Sequence, residues 1–275
     1  MATKLPRAPS ERIWTGILWS MSVLVLFFLV APIIAIIPLS FSSSSFLTYP
    51  LPGFSLEWYD AFLGSERWMR SLKNSVLVGS LATLLAMALG VPAAIGLTQG
   101  RFPLRGLIMA LVLSPMIVPV VIIAVGIYFF FAPLGLTSNY FGLVIAHAML
   151  GTPFVVVAVS ATLAGFDRNL IRAAASMGAP PLRIFRKVIL PLILPGVVSG
   201  GLFAFATSFD EVILVLFIAG PEQATLPRQM FNDVRESINP TITAVASILI
   251  AVSIVLLTAL EMLRRRGERL RGLRN

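Results

Sequence analysis

The sequence predicts an all-α integral membrane protein with six transmembrane helices and a short helical element in one cytoplasmic loop. Three observations carry that prediction. The 275 residues are 57% hydrophobic and 12% charged, with a mean hydropathy of +0.93, far too apolar for an ordinary soluble domain. Nearly uncharged stretches recur, and about 20 apolar residues cross a hydrocarbon core of roughly 30 Å as a helix. The cations fall in alternate loops, as in a chain threaded repeatedly through a bilayer.

The spans are expected at about 13–39, 72–97, 107–131, 141–163, 192–219 and 241–263, within a single membrane domain covering 1–275. The first follows Lys4, Arg7 and Arg12 and is too long for a signal h-region, so it reads as an uncleaved span. The loop at 40–71 contains FSLEWYDAF, where Ser55 can cap a short helix with Leu56, Tyr59 and Phe62 on one face and Trp58 at the outer interface; an irregular loop fits as well. Pro115, Pro119, Pro153 and Pro195 are expected to bend or interrupt the spans in or near which they sit; that proline is simply more frequent in membrane helices accounts for them equally. Gly196, Gly200 and Gly201 allow a second helix close to the backbone of span 5. The segment 220–240 reads as a polar loop.

Sixteen of the 21 lysines and arginines lie on one side: Lys4, Arg7 and Arg12, Arg101 and Arg105, five in the 164–191 loop, and six from Arg264 to Arg274. Basic loops stay in the cytoplasm, which places both termini and the 164–191 loop there. The net charge of +9 is thus an orientation signal. It does not indicate a nucleic-acid partner, because the cations are divided among juxtamembrane loops rather than gathered on one module. Cysteine is absent, so no thiolate metal site is available.

The 164–191 loop carries clear helix punctuation. Asp167 is placed to cap a helix in which Leu170, Ile171, Ala174, Ala175 and Met177 form a small apolar face, and Gly178 stops it. Pro180 and Pro181 then open a basic helix containing Leu182 that runs into span 5. An apolar helical face exposed to the cytoplasm calls for a partner that covers it.

Span 5 contains SFDEVILVLFIAG, with Asp210 and Glu211 past its middle. A mid-bilayer Asp costs about 2.5–3.5 kcal/mol on insertion scales, so the pair should face protein or water. On a continuous helix neighbours diverge by about 100°, which assigns Asp210 to a cavity and Glu211 to a neighbouring helix. Pairing of both with cations of a partner chain is the other reading. The lone His147, in span 4, fits core packing with a hydrogen bond to a neighbouring helix, and a proton relay is the alternative.

The spacing Ala173-Ala174, Gly178, then Val188-Ile189-Leu190-Pro191 resembles the EAA motif of permease subunits of binding-protein-dependent (type I) ABC importers. That resemblance implies the importer permease fold, with a coupling helix seated in a groove of an ATPase subunit through Arg172, Ala173, Ala174, Gly178 and Leu182. The family's usual glutamate is replaced by Arg172 and its isoleucine by Val188. An acidic partner in the ATPase or a solvent-facing side chain fits this reversed charge. FAFATSFDEVILVLFIAGP, TLP at 225–227 and INPTITAVAS at 238–247 resemble the polyamine (spermidine/putrescine) branch. There the resemblance implies a substrate path at Ser208, Phe209, Asp210 and Glu211, where a cationic amine shedding its hydration meets fixed negative charge.

What the resemblance implies for partners is a second permease subunit, an ATP-binding subunit dimer and an extracytoplasmic substrate-binding protein, in the bacterial inner membrane. The chain itself reads as non-catalytic and without a cofactor or metal, ATP and Mg belonging to the ATPase. Its lysines are Lys4, Lys73 and Lys187, and none follows a glycine as a phosphate-cradling loop requires. A permease for another small solute, or an ion-coupled carrier using the two carboxylates, are the rival functions; a carrier gives the coupling-loop pattern no role.

Overall fold

The computed structural model describes residues 9–100, 103–165, 167, 169–236 and 239–270. Lys4, Arg7, Arg101, Phe166, Arg168 and the tail from Arg271, which entered the orientation and loop readings, lie outside the described residues. Among those described there is no strand beyond an isolated bridge between Ser42 and Phe54.

The helices are α1 (Pro9–Leu39), α2 (Glu57–Gly64), α3 (Glu66–Gln99), α4 (Arg105–Leu113), α5 (Val120–Phe131), α6 (Tyr140–Ala164), α7 (Asn169–Ser176), α8 (Pro181–Ile184), α9 (Leu190–Asp210), α10 (Ile213–Ile218), α11 (Leu226–Glu236) and α12 (Thr241–Leu270). Among the described residues four helical stretches are long and apolar enough to cross a membrane: Ile13–Leu39, Glu66–Gln99, Tyr140–Ala164 and Pro181–Asp210. A fifth crossing would combine α4 and α5, and α12 contains a shorter apolar stretch, Thr241–Val255.

The expected span at 107–131 is not one straight helix. Its two halves meet at 102°, because a 3₁₀ turn at Ser114–Met116 and the ring of Pro119 interrupt the α-helical ladder. The expected span at 192–219 is also redrawn. Its helical run begins at Pro181, passes through a π-helical turn at Phe185–Ile189, and ends at Asp210. The polar loop expected at 220–240 holds α11, which buries Leu226, Pro227, Gln229 and Asp233.

The chain clusters into two compact units. The first comprises Met1–Gly64 with Ser237–Ala251, the second Ser65–Glu236 with Val252–Asn275. In the first, Ser55 caps α2 as expected, its Oγ accepting from the Glu57 N–H at 3.1 Å. Trp58 is buried rather than interfacial, donating from Nε1 to the Ser42 carbonyl at 2.8 Å, and Leu56 is exposed instead of sharing a face with Phe62. Along α1 the large apolar side chains are exposed, the surface a lipid-facing helix presents.

In the second unit α3, α6 and α9 pack chiefly on one another. Small residues line the seams: Ala82, Ala86, Ala94, Ala148 and Ala204 are all buried. Close approach explains them, since apolar helices gain little from leaving lipid and must gain from dense packing. Gly196 and Gly200 both meet α6 closely: a Cβ at Gly196 would fall on Thr162 Oγ1, and one at Gly200 would lie 2.7 Å from Val155 Cα, on the backbone of α6.

Candidate functional site: the helix break at Asp210–Glu211 and the α7 hairpin

The α7 hairpin forms as its punctuation predicts. The Asp167 side chain accepts from the Asn169 N–H at 2.9 Å. At the other end Gly178 has φ +78°, its N–H donates to the Ala175 carbonyl at 2.9 Å, and the Ala179 N–H donates to the Ala174 carbonyl at 3.1 Å. That is the Schellman arrangement, which needs a residue free to take the left-handed conformation. The expected single apolar face is divided, however. Ala174 is buried with Leu97, Leu163, Ile184 and Ile193, and Ile171 packs against that cluster. Leu170, Met177 and Leu182 are exposed instead. Arg172, Ala173 and Gly178 are exposed with them, and among the described residues no carboxylate pairs with Arg172. The inward residues seat α7 on α8 and the π-helical turn at Phe185–Ile189, and the outward ones leave an apolar and cationic surface uncovered.

At the other site the structure replaces a helix interior with a helix break. α9 ends at Asp210, Glu211 is extended (φ −74°, ψ 121°), and α10 starts at Ile213. The 100° divergence expected of consecutive helical residues therefore does not apply. Asp210 is exposed and has no hydrogen-bond or ion-pair partner among the described residues. Glu211 is half-buried, and its Oε1 accepts from the Leu214 N–H at 2.9 Å, satisfying one of the free donors at the start of α10. The two carboxylates thus have separate roles, one open and one bonded to the backbone.

The neighbouring expected residues are not gathered on one surface. Ser208 is buried, and its Oγ lies 2.7 Å from His147 Nδ1 across the α6–α9 seam, the interhelical hydrogen bond expected of that histidine. His147 Nε2 is buried without a partner among the described residues. Phe209 stacks on Phe205 with centroids 5.5 Å apart. So Ser208 joins the seam, Phe209 extends an aromatic stack along α9, and Asp210 alone presents an unpartnered charge.

Sequence reasoning missed the scaffold that α3 and α11 build around α10. Arg228 of α11 donates from Nη1 to the carbonyls of Ala219 at 2.8 Å, Gly220 at 3.1 Å and Val215 at 3.3 Å. Asn74 Nδ2 donates to the Glu222 and Ala224 carbonyls, and the Leu226 N–H donates to Ser75 Oγ. Arg67 pairs with Asp233 at 3.0 Å and Arg70 with Glu222 at 2.6 Å. Burial raises the Asp233 carboxyl pKa from its ordinary value, against the opposing pull of Arg67 and Gln229. Burial likewise lowers that of Arg228. A recess of about 500 Å³ opens between α3 and α11, lined by Arg67, Arg70, Arg228 and Gln229 among others. The sequence offered little signal for α11, because its buried face holds Gln229 and Asp233 beside Leu226 while Phe231 and Val234 are exposed. Among the described residues no cluster of histidine, aspartate and glutamate could hold a metal ion.

Residues 86–269 match the family model described as "Binding-protein-dependent transport system inner membrane component". The spermidine/putrescine transport system permease protein PotC of Escherichia coli K12 is 30% identical over 238 residues, covering 86% of this chain and 90% of the relative. The putrescine transport system permease protein PotI of the same strain is 32% identical over 247 residues, covering 86% and 88%. Among solved structures, a bacterial ABC transporter involved in import of the acidic polysaccharide alginate superposes with a TM-score of 0.78 at 17% identity, over 94% of this chain and 99% of that one.

Proposed function

Since the chain belongs to the family of binding-protein-dependent transport system inner membrane components, and so is an ABC importer permease, we propose that the solute it moves is a polyamine such as spermidine or putrescine. The observation that carries this reading is Asp210: an exposed carboxylate without a partner among the described residues, at a helix break in a membrane-spanning element. A lone charge there is costly unless water or a counter-charge meets it, and a di- or tri-cationic amine in transit supplies the counter-charge. The polyamine transport named for the two E. coli relatives supports the same choice.

The working complex in this proposal contains a second permease subunit, an ATPase dimer and an extracytoplasmic binding protein, with all six spans inserted and both termini in the cytoplasm. The chain forms one permease domain, needs no cofactor of its own, and leaves hydrolysis of ATP to the partner. The exposed Arg172, Ala173, Gly178 and Leu182 form the surface the ATPase covers, with Ala174 locking that surface to the bundle. Ser208, Phe209 and Glu211 support the path around Asp210: the first two shape α9, and Glu211 orders the backbone beyond the break. The site must hold its cation weakly enough to let it leave, which a single carboxylate at an open break does better than a closed cage.

The test is Asp210→Asn in the reconstituted complex. It should lower polyamine uptake while the complex still assembles and the binding protein still binds its ligand. Glu211→Gln keeps an acceptor for the Leu214 N–H and should be the milder change. Full activity of Asp210→Asn, or a loss explained by a permease pair that dissociates, would refute the pathway role. Counter-ion flux by this chain without an ATPase would favour the ion-coupled carrier.

A further inference from the structure

The most constrained short element of the second unit is α10, and its constraints come from its ends. Six residues are too few for a helix to persist on its own. Leu214, Val215 and Ile218 are fully buried, and Leu214 and Ile218 pack with Ala124 and Phe131 of α5 and Ala146 and Leu150 of α6. At the first turn Glu211 accepts from the Leu214 N–H. At the last turn the Ile218 carbonyl accepts from the Ser138 N–H at 2.7 Å, and Arg228 takes the carbonyls of Val215, Ala219 and Gly220. A carboxylate at the N-terminal end and a guanidinium at the C-terminal end each match the sign of the helix dipole.

We infer that Arg228 is a positioning residue for the substrate path: through α10 it sets, from the outer helix α11, where the break at Asp210–Glu211 lies. The inference rests on the pathway role proposed for Asp210. Its physical basis is the shortness of the chain of contacts. Arg228 grips one end of a six-residue rod, and the other end of that rod is bonded to Glu211, the residue next to Asp210. α11 is itself tied to α3, through Leu226 N–H to Ser75 and through Asp233 to Arg67. When α11 shifts relative to α3, Arg228 makes α10 follow, and the break moves with it. Without the guanidinium, three carbonyls at the end of α10 lose a charged donor, and α10 is free to shift at its outer end while its buried face still holds it in the bundle.

Lysine offers a graded test, because all three bonds come from a single nitrogen, Nη1. An ammonium is also a point donor, with three protons, but on a shorter stem. Arg228→Lys should therefore restore part of what Arg228→Met loses.

The chain has no cysteine, so with labelling read on this chain after the subunits are separated, Val212→Cys reports on the break, and Leu134→Cys, an exposed position after α5, reports general loosening. The readout is the rate of labelling by a charged, membrane-impermeant maleimide in proteoliposomes. Arg228→Met should speed labelling at 212 about tenfold, the equilibrium equivalent of one charge-assisted hydrogen bond, with Arg228→Lys between it and the parent and no change at 134. The same variant should lower the maximal uptake rate with the KM for liganded binding protein unchanged. Equal labelling at 212 with and without Arg228, or faster labelling at both positions, overturns the inference. A rise in KM alone also overturns it, assigning Arg228 to docking. Faster labelling at 212 with normal uptake would overturn it as well, while the pathway role of Asp210 is decided separately by Asp210→Asn.

Discussion

Gly178→Val isolates backbone conformation from packing at the α7 hairpin. Gly178 sits at φ +78°, and a Cβ built on it meets nothing within 4 Å, so a larger side chain is not excluded by contact. The penalty is conformational: about 1–2 kcal/mol for an ordinary L-residue held in the left-handed region, and more for a β-branched one. Escaping that strain means giving up the bonds from the Gly178 and Ala179 N–H groups, worth about 1 kcal/mol net each. At roughly 1.4 kcal/mol per factor of ten, the population with the hairpin correctly closed should fall about tenfold for Gly178→Val. Gly178→Ala should fall less, and Gly178→Asn least, since asparagine visits the left-handed region most readily. Because the position is exposed, insertion and bundle stability should hold in all three. The assay is solute uptake per ATP hydrolysed in proteoliposomes holding the full complex, with the ratio declining in the order Asn, Ala, Val. Parental coupling in Gly178→Val, or Gly178→Asn performing as badly as Val, would refute the conformational argument.

Two further outcomes follow from neighbouring features. Arg172→Glu should reduce the ATPase that co-purifies with the chain and lower uptake, if the exposed guanidinium meets an acidic groove; unchanged recovery and uptake would show that position 172 faces solvent. Gly200→Ala should cost about 1–3 kcal/mol by overpacking, because its Cβ falls 2.7 Å from Val155 Cα, where only separation of α6 and α9 can give room. Gly96→Ala on α3, with open space around it, is the control and should be neutral or slightly stabilising in detergent thermal denaturation.

Membrane residence, helical class and the positions of most long apolar helices were legible in the sequence, because those properties depend on the composition of stretches about 20 residues long. The hairpin was legible for a different reason. Asp167, Gly178 and Pro181 act on the backbone within a turn of themselves, and the caps they predict are the caps that form. Helix–helix proximity was legible where its cause is local, as at Gly196 and Gly200, whose lack of a side chain marks the seam with α6.

What only the tertiary structure decided is where an apolar run stops being one helix. Nothing in the pattern of 192–219 shows that α9 ends at Asp210, because α10 is apolar like what precedes it and is held in place by its neighbours. Leu214, Val215 and Ile218 are buried, Glu211 caps one end, and Arg228, distant in sequence from the break, bonds the other. The same dependence divided the apolar face of α7, turning Ala174 inward into the buried cluster while Met177 stayed exposed. A sequence therefore states which residues prefer apolar surroundings, whereas the direction each side chain takes at a break or in a hairpin is set by which distant backbone groups still need a partner.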